Sequence, residues 1–133
     1  MYKGLSEAIR SLLDRPPEKA VAAMNLLKVV LLTRVPNDIW LVIGEHADYI
    51  VVPLKFCSCP HYMISMLTGS MGKPCYHLIA VELARDLRRY IDLSKVLDAD
   101  TVNAIVIEAI YEGRSRTLRR VLEKHVGEFT ATT

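Results

Sequence analysis

Residues 57–77 read CSCPHYMISMLTGSMGKPCYH and hold all three cysteines of the chain, together with two of its four histidines, His61 and His77. Cysteines acting only as small buried hydrophobes have no reason to gather. Here they form two one-residue-spaced pairs, Cys57-x-Cys59 and Cys75-x-His77. A tight turn after a strand lets two thiolates converge on one point, which suits Cys57 and Cys59. The start of a helix lets residues i and i+2 face one centre, and its N-terminus favours thiolate charge, which suits Cys75 and His77. Together they supply Cys3His, the four ligands a closed tetrahedral zinc site needs, with no place left for a catalytic water. His61 is a rival ligand, because Cys59-Pro60-His61 would complete a CxCxH trio. An odd number of cysteines and the CxC spacing fit a disulfide framework badly.

Working outward, IWLVIG from Ile39 and DYIVVPL from Asp48 are β-rich runs on either side of Gly44-Glu45-His46-Ala47. They predict a hairpin that delivers the chain into Cys57. Gly69, Ser70, Gly72 and Pro74 predict a flexible loop between Pro60 and Pro74. Periodicity then returns: His77, Ile79, Ala80, Leu83, Ala84, Leu87 and Ile91 mark one face of a helix starting near Cys75. Ala80 follows His77 by three residues on that face, where a larger side chain would push the helix off the hairpin or crowd the metal. The expected metal element is strand, strand, helix.

The flanks read as helical. Leu5, Ile9, Leu12 and Leu13 fall at helical spacing, and Asp14-Arg15-Pro16-Pro17 stops that helix. From Glu18 to about Leu32 the pattern is apolar on nearly every side, which predicts a helix needing cover on more than one face. After the metal element, Val102, Ile105, Val106, Ala109 and Ile110 form a stripe on a helix ended by Gly113. A last helix runs roughly from Ser115 to His125, and Glu128–Thr133 reads as a frayed tail. The expected fold class is therefore α+β, a single domain over 1–133, with a small ββα zinc element at about 39–90 between helical flanks at 4–32 and 95–125.

Composition narrows the function. Seventeen Lys and Arg against fifteen Asp and Glu give a formal charge of +2, far from the excess of a dedicated polyanion binder, so any basic function is local. Arg85, Arg88 and Arg89 on one helix, and Arg114, Arg116, Arg119 and Arg120 at the start of the last, are the candidates for phosphate contact. Glu82, Asp86 and Glu123 counter them, and Glu82, Asp86 and Glu108 are expected on solvated faces. Hydrophobic residues make up 51% of the chain, a surplus that points to a partner surface. Val29-Val30-Leu31-Leu32 and Ile105-Val106-Ile107 are the expected interface, a standard one covering about 800 Å² per side. The first residues lack a signal-peptide h-region, and the greasiest stretch, Ala20–Val35, is short for a bilayer and holds Lys28, so a cytoplasmic protein with no membrane contact is expected. No GxxxxGK[ST] loop and no nucleophile-base set stands out, so neither an enzyme nor a small-molecule substrate is expected.

The pattern Cys57-x-Cys59…Cys75-x-His77 on a strand, strand, helix element resembles the SWIM zinc finger family, whose signature is CxC…CxH. Cys75-Tyr76-His77-Leu78-Ile79-Ala80 further resembles the CxHxxA ending of Shu-complex-type SWIM proteins, which act with RecA-type recombinase paralogues. The likeness covers Ile39 to Leu87. It implies a structural Zn2+ and a non-catalytic accessory protein with a RecA-like partner that promotes homologous recombination and DNA repair. A homodimer is the other partner reading. The compartment would be the cytoplasm, with nucleoid association in a prokaryote or a nuclear site in a eukaryote. The alternative is a stand-alone nucleic-acid-binding SWIM regulator.

Overall fold

Strand alternation sends neighbouring apolar residues to opposite faces, and this chain uses both. In a computed structural model, which describes residues 3–69, 74–125 and 130–131, the elements follow the order α1 (Lys3–Ser11), α2 (Glu18–Asn25), β1 (Val29–Thr33), β2 (Ile39–Ile43), β3 (Asp48–Val52), β4 (Phe56–Cys57), α3 (Pro60–Thr68), α4 (Tyr76–Leu87), β5 (Tyr90–Asp92), α5 (Ala99–Ile107), a π-helical turn (Glu108–Glu112), α6 (Arg116–Lys124) and β6 (Thr130–Ala131). One sheet has the order β4-β3-β2-β1-β5-β6. β1 lies antiparallel to β2 and parallel to β5, so the chain crosses over through α4 between them. The other neighbours are antiparallel.

Val29, Leu31, Trp40, Val42 and Val51 face a core shared with Leu5, Ile9, Met24 and the buried side of α4, and the three cysteines belong to it. Val30, Leu32, Leu41 and Ile50 face a second core with Leu93, Val102, Ile105, Ala109 and Leu118. The sheet is thus a middle layer with helices on both faces. The class is α+β, as the sequence predicts.

The helix expected over 18–32 is corrected. It ends at Asn25, and Leu27, in the left-handed region at φ 56°, turns the chain into β1. A run apolar on every side is equally the signature of a strand covered on both faces, and Val29 to Leu32 are all wholly buried. They form the core, not an interface. Ile105 is buried as well, while Ile107 is exposed.

Other expectations also shift. Pro60–Thr68 is helical, not looped, with Gly69 in the left-handed region at its C-terminus; the rest of that expected loop, 70–73, lies outside the described residues. Helix α4 stops at Leu87, and Ile91 belongs to β5. Within the expected tail, Thr130 pairs with Ile91 and Ala131 with Tyr90, while 126–129 and 132–133 lie outside the described residues. Glu82 is buried rather than solvated, and burial raises its pKa against the pull of Arg85.

The C-terminal helices are tied to the hairpin by a polar network. Asp48 is 1% exposed, and its carboxylate accepts from the Ser115 amide at 2.7 Å and from both terminal nitrogens of Arg119 at 2.6 and 2.9 Å. Ser115 caps α6, its Oγ accepting from the Leu118 amide, and donates to Glu108 at 2.8 Å. Thr117 donates its amide and hydroxyl to the same carboxylate.

Candidate metal centre

Cys57 enters the site from the end of β4, where it pairs with Val51. The ladder does not continue past it. Instead Ser58, between the two cysteines, grips β3 twice: its amide donates to the Ile50 carbonyl at 2.9 Å, and its hydroxyl accepts from the Ile50 amide at 2.9 Å. That clamp turns Cys59 to the same side as Cys57. Cys59 is also the N-cap of α3, its Sγ accepting from the Tyr62 amide at 3.4 Å, and Pro60 opens the helix behind it. A sulfur capping a helix meets the positive end of the helix dipole, which favours thiolate. Tyr62 fixes the entry by donating its hydroxyl to the Lys55 carbonyl at 2.7 Å and setting its ring edge-on to Phe56.

Cys75 stands at the N-cap of α4 with extended backbone, and His77 occupies the helix's second position. The His77 ring packs against those of Tyr49 and Tyr76, with centroid separations of 4.5 and 4.0 Å. Ala80, one turn on, is wholly buried.

One ligand atom from each of Cys57, Cys59, Cys75 and His77 lies within 4.8 Å of the others, and all four residues are buried. Both ring nitrogens of His77 are buried without a hydrogen-bond partner. A polar group left so costs about 1–3 kcal/mol, and a metal ion in the centre of the cluster would remove that cost at the one nitrogen that ligates it. The sulfurs make the same argument. The Cys57 thiol is pushed far up by its hydrogen bond to Cys59, then by its contact with Cys75 and by burial. Cys59 is held far down, first by the hydrogen bond from Cys57. Cys75 is pulled down by Cys57, but Cys59 and burial outweigh this and leave it at about 12. Crowded, buried sulfurs oppose one another's ionisation; a dication would let all of them ionise. The donor set, soft thiolates with one imidazole and no spare position, is that of structural zinc.

His61 is exposed on the first turn of α3 and stands outside the cluster. Ser58 is the residue that sequence reading passed over. A serine inside CxC announces nothing by type, and only the pairing with Ile50 gives it a role.

The arginines do not converge. Arg119 is spent on Asp48, with its side chain 31% exposed. Arg85 pairs with Glu82, and Arg116 with Glu112. Arg88, in the left-handed region at the α4 C-terminus, Arg89 and Arg120 are exposed.

Residues 41–86 match the family model of the SWIM zinc finger, a segment running from β2 to α4 that includes all four clustered residues. No curated protein and no solved structure matches the chain. None of the helices, among the described residues, is long and apolar enough to cross a membrane.

Proposed function

We propose that this chain is a non-catalytic zinc-binding accessory protein of homologous recombination and DNA repair, acting through a RecA-like recombinase paralogue. The observation that carries the reading is the ending Cys75-x-His77-x-x-Ala80, all three residues buried at the start of α4. The metal site supports the non-catalytic part, since four protein ligands leave no open position for a substrate or water. Zinc bound by Cys57, Cys59, Cys75 and His77 would hold the CxC turn and α3 against α4.

Co-expression of the chain with the RecA-like paralogue of its own genome tests this. A complex that purifies with one zinc per chain and survives high salt supports it, because an apolar interface responds weakly to salt. Failure of every such paralogue to co-purify with zinc-loaded protein would overturn it.

A second reading, a nucleic-acid-binding SWIM regulator, is favoured by Arg88, Arg89 and Arg120, which make no ion pair with the described residues. It requires the chain alone to shift DNA, with affinity falling steeply as salt rises.

A further inference from the structure

We propose that α3 is a docking helix, whose exposed apolar side inserts into an uncharged apolar groove of a partner protein. The inference rests on the reading of this chain as an accessory protein and names the surface it would use. Met63, Ile64, Met66 and Leu67 are 45, 59, 39 and 84% exposed. They occupy two turns of one helix, PHYMISMLT, that contains no Asp, Glu, Lys or Arg. Only Tyr62 and Ser65 of α3 are buried. Pro60, Met63, Ile64 and Leu67 recur at i, i+3, i+4 and i+7, the spacing with which a helix fills a groove.

Three occupants compete for such a face, and two fit badly. A nine-residue helix is about 13.5 Å long and about 10 Å wide, too small for flat contact with a second copy to approach the about 800 Å² per side of a standard interface. A convex helix sunk in a groove makes contact on three sides instead. A lipid surface asks for cations on the helix's polar face, and α3 has none. The other exposed apolar group, Ile107, Ile110 and Tyr111, is interleaved with Glu108 and Glu112 and followed by Arg114, so it suits a mixed polar contact. The two methionines add adaptability to the partner's shape.

The metal site also prepares α3 for this use. Cys59 is at once one of the four clustered residues and the N-cap of α3, so the helix starts at the metal. A helix held in its bound position before docking loses less entropy on association.

Photo-crosslinking from the full chain in its own host decides the matter, with p-benzoylphenylalanine replacing Leu67 or, in a second variant, Tyr111. The expected result is a crosslink from position 67 to an apolar, uncharged groove of a different protein, mapped to the residue by mass spectrometry. Adding Ile64→Glu should cut the yield about tenfold or more, the loss typical of a removed anchor, and adding Ile107→Glu should not. Both substitutions sit on exposed positions and should leave zinc content and Tm unchanged. A crosslink from position 67 to a second copy, to lipid or to nothing overturns the proposal. A groove on a protein without a RecA-like fold sinks the recombination reading and leaves the docking helix standing. A RecA-like paralogue crosslinked from position 111 alone does the reverse.

Discussion

His77 is the most exacting residue of the site, because an imidazole buried with neither nitrogen partnered is costly unless something binds it. His77→Ala or Cys57→Ser should release the zinc and collapse the β4–α3 region, since metal binding to such sites contributes about 10 kcal/mol or more to folding. Metal analysis with thermal melting checks this; an unchanged zinc content and Tm in either variant would show that the ligand set is wrong. His61→Ala should keep one zinc per chain. Ser58→Ala tests the clamp: the buried Ile50 amide loses its acceptor, at a cost of about 1–3 kcal/mol. Zinc stoichiometry should stay at one while a chelator removes the metal faster. At this scale cysteine and histidine reveal themselves by type and spacing, so the cluster was legible in the sequence. Ser58 and Asp48 were not. Their value comes from partners on other strands, and sequence spacing carries no information about Ile50 or Arg119.

Among the elements, the informative one is β1. A window of apolar residues without a polar stripe fits a buried strand and a buried helix equally, and AVAAMNLLKVVLLT has no proline or glycine to mark where one becomes the other. The boundary is made by Leu27 at φ 56°, a conformation that costs an L-residue about 1–2 kcal/mol. Leu27→Gly should therefore be tolerated or mildly stabilising, whereas Leu31→Ala, in the middle of the sheet, should cost about 2–5 kcal/mol. Urea melts of the two variants check the contrast; a loss of about 1 kcal/mol for Leu27→Gly, the cost of glycine inside a helix, would show a helix continuing through 27–32. Helix α3 is illegible in the sequence for a related reason, since its nine residues present no solvated polar face to make a periodic pattern. The junction of the π-helical turn with α6 predicts a pH effect. Glu108 is held below the usual carboxylate range, first by the Thr117 hydroxyl. A lowered folded pKa means stability that is fully present above the unfolded value of about 4.3 and lost as pH falls through the folded one. Glu108→Gln should flatten that part of the acid limb of Tm against pH; an unchanged limb would remove Glu108 from the account.

For the whole molecule, the decisive fact is that the sheet separates two cores and the metal cluster belongs to only one of them. Sequence periodicity gave amphipathic helices and a hairpin, but which helix covers which face depends on the parallel pairing of β1 with β5 across α4, a long-range contact no local pattern encodes. The consequence is an unequal response to metal removal. A folded domain of this kind has about 5–15 kcal/mol of net stability, so a zinc contribution of about 10 kcal/mol is most of what holds the metal-side layer. The opposite layer has its own apolar packing and the Asp48–Arg119 pair, none of it passing through a cysteine. Chelation should therefore strip amide protection first from 56–68 and 75–81, while β1 and α5 exchange more slowly and the second core persists as a less stable remnant. Hydrogen exchange read by mass spectrometry before and after chelation measures this directly. If 56–68 keeps its protection without zinc, the metal is not what holds α3 in place. If every segment loses protection at the same rate, the sheet transmits the loss through both cores and the molecule is one cooperative unit.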